Sequence, residues 1–432
     1  MARMSTAASP ALKDSSRTLW LLLTLLVISI FVNYIDRSNL SVAATDLSRE
    51  LSLSSTDLGL LLGAFFWTYA AFQLVAGWVV DRYNVYVAYG IAFFLWSAAT
   101  ALTGFAGSLA TLFVLRLVLG FGESIAYPAY SKIIARDFPA RHRGLANALI
   151  DAGSKAGPAL GTLVGGLIVA GFGWRALFFI LGFGAMIWLL PWFALIPRGE
   201  KNVSQQAAAQ AAGPGFLEIA SKRDAWGTFI VLFCGNYAWY FFLTWLPPYL
   251  EMERGFSKTM MAIYGSIPFT GIALASVFGG WLSDRLIERG GSPTLVRKGF
   301  AITGLLMMTL VLPASMLPNQ VASMALLTGG CICYGLYSSN VWAITQTLAG
   351  PSAAGKWTGM QNCIGNISGV VAPWLTGFLV QRTGQFFLAF VAVAIALLIA
   401  ACSYIFLVGK VEPIKWRSSA AAGSTGTAGA RE

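Results

Sequence analysis

Apolar stretches long enough to cross a membrane recur along the chain, at 18–46, 57–80, 86–106, 109–135, 143–170 and 174–196, then at 225–250, 259–285, 297–316, 320–349, 355–380 and 384–408. A span needs about 20 residues. Backbone polar groups must be satisfied within the bilayer, so each such run predicts an α-helix. The first 17 residues are polar, and the apolar run after them is followed by many more, so the first span is expected to be retained and not cleaved as a signal peptide. One long polar linker, 197–224, includes the low-complexity stretch from Gln205 to Gly215 and separates six spans from six. The pattern predicts a cytoplasmic N-terminal tail (1–17), a six-helix bundle (18–196), a cytoplasmic linker (197–224), a second six-helix bundle (225–408) and a disordered cytoplasmic tail (409–432).

The two halves repeat. Gly77-Trp78-Val79-Val80-Asp81-Arg82 ends the second span, and Gly280-Trp281-Leu282-Ser283-Asp284-Arg285 ends the eighth. Gly144, Asn147 and Pro158 in the fifth span correspond to Gly359, Asn362 and Pro373 in the eleventh. The expected fold is therefore an all-α membrane protein of twelve transmembrane helices in two parallel six-helix repeats. Such repeats place a substrate site near the midplane between the halves. Most of the 46 glycines read as helix-packing features. Gly77 and Gly280 stand apart, because a close helix contact just before Asp81-Arg82 and Asp284-Arg285 could hold a gate shut.

Composition agrees: 57% of residues are hydrophobic, 11% are charged, and the mean hydropathy is +0.68, whereas soluble domains are about 25% charged. The net charge of +11 invites a nucleic-acid reading, but its placement excludes one. With the N-terminus inside, only Arg49, Arg175, Arg254, Lys258 and Arg382 fall on the outer side and only Arg37, Arg116 and Lys155 fall at membrane depth. The rest of the lysines and arginines lie on the cytoplasmic side, the bias that orients membrane proteins, which predicts a multi-pass protein of the inner (plasma) membrane with both termini cytoplasmic. Cys234, Cys331, Cys333, Cys363 and Cys402 sit in apolar segments without histidines at metal spacing, and read as buried free thiols. The only histidine, His142, is in a loop. No nucleophilic triad and no phosphate-cradling glycine loop with lysine is present, so neither an enzyme nor a nucleotide-driven pump is expected.

Charged residues inside apolar spans carry the functional signal, because each costs about 2.5–3.5 kcal/mol or more at a bilayer centre. Arg116 and Glu123 lie seven residues apart, about two helical turns, and so share one face of the fourth span. The first span adds Asp36 and Arg37, about 100° apart round the helix, and the fifth adds Asp151 and Lys155 at i,i+4 spacing. All six lie in the first half. Arg116 offers a fork suited to a carboxylate, against a structural ion pair as the plainer role. Glu123 can act as a proton site; Asp36 is either a second one or the counter-charge of an arginine. Asp151 and Lys155 are most simply an intrahelical pair, with a substrate role as the alternative.

These residues resemble the major facilitator superfamily, through the loop at Gly77 to Arg82 and its echo at Gly280 to Arg285. More narrowly, Asn33-Tyr34-Ile35-Asp36-Arg37-Ser38-Asn39-Leu40-Ser41, Arg116 with Glu123 and Tyr127-Pro128, and Gly359 with Asn362, Asn366 and Pro373 are similar to its anion:cation symporter family. The resemblance covers residues 18 to 408. It implies proton-coupled carriage of organic anions, with galactonate, glucarate and hexuronates prominent. It also implies Asp36 and Glu123 as proton carriers, Arg37 and Arg116 as charge partners or anion contacts, and Tyr34 and Tyr69 as polar cavity walls. Trp342 and Asn362 fall where such members contact the sugar acid. Ser154 stands where they carry a longer amide, and Lys155 beside it departs from their pattern.

The expected function is import of an organic anion by proton symport with alternating access. The chain would work as a monomer, with protons as coupling ion and no cofactor or metal. Once Glu123 and Asp36 are protonated, Arg116 and Arg37 would be free to hold the substrate carboxylate. A proton-independent facilitator or exchanger of aromatic carboxylates or small dicarboxylates is the alternative. A receptor that binds without translocating is a more distant one, since no signalling domain is recognisable.

Overall fold

The computed structural model describes residues 16–195 and 214–416. The expected N-terminal tail up to residue 15, linker residues 196–213 and the tail from 417 lie outside the described residues. The first half contains α1 (Ser16–Glu50), α2 (Ser55–Arg82), α3 (Val85–Thr103), α4 (Leu109–Glu123), α5 (Ala126–Asp137), α6 (Ala140–Phe172), α7 (Trp174–Met186) and α8 (Leu189–Leu195). The second contains α9 (Phe216–Ala220), α10 (Arg223–Met252), α11 (Lys258–Glu288), α12 (Pro293–Met308), α13 (Val311–Met316), α14 (Gln320–Thr383) and α15 (Phe387–Phe406). Among the described residues, eleven helices are long and apolar enough to cross a membrane, and α2, taken as one bent span, is the twelfth.

The turns are written into the sequence as helix caps. The Ser54 hydroxyl accepts from the Asp57 amide while the Asp57 carboxylate accepts from the Ser54 amide, so two donors at the start of α2 are satisfied at once. Asn84, Ser108, Ser257 and Asn319 cap α3, α4, α11 and α14 in the same way with one side chain each. The tenth and eleventh spans run on as one element, broken at Gly350, whose backbone (φ 65°, ψ 173°) is open to glycine and strained for other residues. The fourth expected span is two helices, α4 and α5, parted at Ser124 and Ile125.

Two expected boundaries shift. The linker residues nearest the second half are folded: α9 lies within them, α10 begins at Arg223, and Lys356 donates to the Pro214 carbonyl. The stretch 409–416 is not a free tail. Val411 and Trp416 are buried, the Trp416 indole N–H donates to the Ala349 carbonyl at 3.0 Å, and the Ile414 amide donates to that of Leu348 at 2.9 Å. The Trp416 ring stands edge-on to Trp357. Apolar burial and these hydrogen bonds order a segment whose composition reads as tail.

The halves meet along three helix pairs: α2 on the second part of α14, α6 on α11, and α1 on α10. Their cross-links gather toward the end of the bundle that carries the α1–α2 turn. There Lys258 bridges Asp46 at 3.0 Å and Glu251 at 2.7 Å, the Thr56 amide donates to Gln381 at 3.1 Å, and the Ser41 hydroxyl donates to the Thr244 carbonyl at 2.7 Å. A Cβ at Gly59 would stand 2.5 Å from the Pro373 carbonyl oxygen, and one at Gly377 would meet the carbonyl of Ser55. At the opposite end, where α2 finishes, a Cβ at Gly77 or at Gly359 would meet nothing within 4 Å. The bundle is closed at the α1–α2 turn and opens toward the other end. The expected gate contact at Gly77 is therefore absent in this conformation, and Gly280 faces Ser339 of its own half.

This crossing generates a prediction. Overpacking a tight contact costs about 1–3 kcal/mol, so Gly59→Ala will push the population toward molecules open at the α1–α2 end. In a cysteine-free background, a cysteine placed at Val370 will react with an impermeant maleimide at least about fivefold faster in the alanine variant. An unchanged rate would mean that this crossing does not hold the end shut.

Candidate functional site

The first-span motif places four polar side chains in the packed interior of the first half. Asn33, Asp36, Arg37 and Asn39 are all buried, with Arg37 4% and Asp36 2% exposed. Arg37 donates from Nε to Glu123 Oε2 at 2.9 Å, and Glu123 is fully buried. The guanidinium also lies 4.6 Å from the Tyr34 ring centre, 4.9 Å from Phe65 and 4.5 Å from Tyr69. Aromatic faces favour a cation, and more strongly in a desolvated setting. Tyr69, named as a cavity wall by the family resemblance, thus packs its ring against the Arg37 guanidinium.

Glu123 is bound to Arg37, not to the residue with which it shares a helix face. Arg116 is buried beside it. Its Nη1 reaches only the Asp36 backbone carbonyl, at 3.5 Å, and its guanidinium lies 5.5 Å from the Phe65 ring centre. Among the described residues no carboxylate forms an ion pair with Arg116. Asp36 takes a different direction from Arg37, as the 100° between them requires: its Oδ1 accepts from Asn39 Nδ2 at 3.1 Å. Asp36 also lines a groove of about 440 Å³ between α1 and the α7–α8 region, otherwise walled by apolar residues such as Val32, Ile35, Leu181 and Trp188.

A second polar group continues from Tyr34, whose hydroxyl lies 3.2 Å from that of Tyr127. Lys155 Nζ lies 3.4 Å from Asp151 Oδ1, so the i,i+4 pair expected on α6 is formed, with the Asp151 side chain 60% exposed. The Ser154 hydroxyl is directed to the Asp151 carbonyl of its own helix at 2.7 Å. From the second half, Asn362 Nδ2 donates to Gln73 Oε1 of α2 at 3.1 Å, joining the halves on the open side of the arginines. Asn366 donates to the Asn362 carbonyl and accepts from the Tyr240 hydroxyl at 2.6 Å. Trp342 is half-buried and packed against the apolar core, apart from these hydrogen bonds.

At the open end, Lys132 lies 3.6 Å from Asp81 and also donates to the Val80 carbonyl. Asp284 takes Arg297 at 3.0 Å, and Arg285 takes Glu288 at 3.4 Å. Arg82, like Asp81, Asp284 and Arg285, is exposed. The cysteines are free thiols as expected, although Cys402 is exposed and Cys333 and Cys363 are half-buried. Sequence reasoning assigned no role to Gln73, Tyr127 or Asn33. Gln73 sits one turn beyond Tyr69, and Asn33 one turn before Asp36 and Arg37, so the i,i+3 and i,i+4 rule could have added both.

Comparison with known proteins agrees with this architecture. The family model of the Major Facilitator Superfamily matches residues 26–373. A probable sulfoacetate transporter of Cupriavidus necator is 30% identical, over 92% of this chain and 95% of its own. A probable galactarate/D-glucarate transporter of Escherichia coli K12 is 30% identical, over 93% and 97%. A D-galactonate transporter of Escherichia coli O6:H1 is 30% identical, over 92% and 97%. Among solved structures, a bacterial homologue of the human lysosomal transporter Spinster, inward-facing and occupied, superimposes with a TM-score of 0.77 at 20% identity, over 91% of this chain and 97% of that one, a likeness of fold. Eleven or twelve spans among the described residues, a cluster of buried charges in the first half and a family match over residues 26–373 make this chain a member of the Major Facilitator Superfamily, a multi-pass membrane transporter and not an enzyme.

Proposed function

We propose that the chain imports a sugar acid or a related small organic anion together with protons, by alternating access, as a monomer. The observation that carries this reading is Arg116. It is a buried cation with no carboxylate partner among the described residues, while the neighbouring carboxylate of Glu123 is held by Arg37. A buried charge without a counter-charge is costly, and a substrate carboxylate is the counter-charge its fork would take. The relatives named for aldarates, galactonate and sulfoacetate support the anion class. The charge asymmetry supports both termini in the cytoplasm of a cell bounded by this inner membrane. The open end of the bundle then faces the cytoplasm.

In the cycle, protonation of Glu123 removes the charge that holds Arg37, and both arginines can engage the anion. Tyr34 and Tyr127 line the way toward Lys155, and Asn362 meets the substrate from the other half. The Gln73–Asn362 hydrogen bond takes up the Asn362 donor while that place is free. Closure at Gly77 and Gly280 belongs to the opposite state, in which Asp81, Arg82, Asp284 and Arg285 approach across the halves. No cofactor other than the proton enters. Differential affinity of the two states for the protonated carboxylates drives the bias.

Three measurements in proteoliposomes test this. Glu123→Gln mimics the protonated acid and cannot release a proton, so it will retain counterflow of internal for external substrate and lose accumulation driven by a pH gradient. Accumulation by this variant with protons as the only driving force would remove Glu123 from coupling. A wild-type protein indifferent to pH would instead favour exchange. Arg116→Lys will insert and fold but lower uptake at low substrate about 10- to 100-fold, because a point charge does not replace a bidentate fork and such hydrogen bonds contribute about 1.5–3 kcal/mol. Near-normal uptake would reduce Arg116 to a charge requirement. Lys155→Gln will lower transport of a sugar diacid about fivefold more than that of the monoacid, one rim charge being about 1 kcal/mol. An equal effect on both would confine Lys155 to its pair with Asp151.

A further inference from the structure

α14 consists of two arms, the tenth and eleventh spans, and Gly350 is the joint between them at the open end of the bundle. Because Gly350 leaves helical geometry, the carbonyls of the last turn before it need partners from elsewhere. The segment at 408–416 supplies them. The Ile414 amide donates to the Leu348 carbonyl at 2.9 Å, and the Trp416 indole donates to that of Ala349 at 3.0 Å. Pro413 lies against the joint itself: a Cβ at Gly350 would stand 3.9 Å from the Cβ of Pro413. On the second arm, the Trp357 ring meets Trp416 edge-on with centres 6.0 Å apart. The segment thus touches both arms and the joint.

It is also fastened to the other helices that end here. The Gly409 amide donates to Asp224 of α10 at 2.7 Å, and the Val411 amide donates to Thr294 Oγ1 of α12 at 2.9 Å. Lys298 of α12 donates to the Val408 carbonyl at 2.7 Å. Deeper in the bundle, buried side chains tie the same elements together. Thr345 of the first arm donates to Gln361 Oε1 of the second at 2.8 Å. Gln361 donates in turn to the Thr228 carbonyl of α10 at 3.2 Å, and the Trp357 indole donates to Thr228 Oγ1 at 2.9 Å. The end of the inter-half linker is held at the same place, where Lys356 donates to the Pro214 carbonyl at 3.1 Å and Lys222 Nζ lies 5.7 Å from the Trp416 ring centre. All of these partners belong to the second half or to the linker end beside it.

A glycine break within a helical element is a natural pivot, since a few such residues can absorb the change in φ and ψ of a hinge. The arm beyond Gly350 carries Asn362 and packs on α2 of the first half. Were the pivot free, this arm could close on α2 without the rest of the second half, and without the closed end letting go. Bonds from one segment to both arms, to α10 and to α12 remove that freedom.

We propose that the segment at 408–416 is a clamp on the Gly350 joint, which makes the open end of the second half rock as one body and so ties closing of this end to opening of the other. This rests on the alternating-access reading given above. Trp416 and Ile414 are its positioning residues, and neither touches the arginine site.

Spin labels on pairs of exposed positions test this, in a cysteine-free chain held in nanodiscs. Arg289 with Gly359 reports on the second half alone, Tyr83 with Gly359 on the open end, and Arg49 with Arg382 on the closed end. In the full chain the Arg289–Gly359 distance is expected as one narrow peak, and any second distance at the open end will be matched by one at the closed end. In Trp416→Ala the Arg289–Gly359 distribution will widen at least about twofold, because a joint released from its local contacts opens sub-globally. The open end will then gain distances that the closed end does not share. Ile414→Pro, which removes one amide donor and leaves the indole in place, will act in the same direction to a smaller degree. If both variants keep the narrow peak, or if their two ends still change together, the segment is packed but clamps nothing, and the proposal falls. If the two ends of the full chain itself vary independently, the two-body reading of the cycle fails instead, and a clamp has nothing to enforce. Should Trp416→Ala not fold, Ile414→Pro decides on the same distances.

Discussion

A charge taken out of water must find a counter-charge, and in this chain that requirement is met by Arg37 and Glu123 at 2.9 Å. Removing one partner of such a buried pair costs about 3–5 kcal/mol, so the pair fixes how α1 and α4 sit against each other. The ring faces of Tyr34, Phe65 and Tyr69 surround the same guanidinium and bring α2 to the contact. Arg116 is then left beside a neutralised pair with a backbone carbonyl as its nearest acceptor. The proposed anion role rests on this arrangement: Arg37 takes the glutamate, and Arg116 forms no ion pair among the described residues.

The spans and the division into halves were legible because a bilayer leaves a chain few options. Long apolar runs must be helices, and charge placement orients them. The Gly350 break was legible as a gap between apolar runs. The break at Ser124 and Ile125 was not, because neither residue carries a breaker's signature, and the turn there is held by ordinary bonds from the Ser124 amide to the carbonyls of Gly120 and Phe121. The strap at 409–416 was missed for a related reason. Its order comes from where Trp416 lands, against Ala349 and Trp357, and not from any local propensity.

At the site, periodicity identified the residues and not their partners. Seven residues' spacing put Arg116 and Glu123 on one face, and that geometry is realised. The choice of Arg37 as the glutamate's partner depends on how α1 docks on α4, a tertiary fact that no spacing within one helix contains. The separation of Asp36 from Arg37 was derivable, since consecutive residues diverge by 100° whatever the packing. Gln73 and Asn362 lie in different halves, so their hydrogen bond depends on the relation of the halves in this conformation and could not be read from either segment.

That relation explains why the two ends of the bundle are built differently. At the α1–α2 turn the halves are joined by Lys258 with Asp46, by Gln381 with Thr56, and by the crossing at Gly59 and Gly377. At the other end the motif residues make their ion pairs within their own halves: Asp81 with Lys132, and Asp284 with Arg297. Exposed pairs of this kind contribute about 0–1 kcal/mol each. They can therefore exchange partners when the halves rock, without a large barrier. The closed end relies on glycine crossings and on the half-buried Lys258–Asp46 pair, which must separate together. An alternating-access carrier needs its two end closures near balance, so that a bound anion's modest differential affinity decides which one holds. On the proposed cycle the balance pits helix crossings at one end against charge pairs at the other, and the buried site shifts it through whether Glu123 holds Arg37.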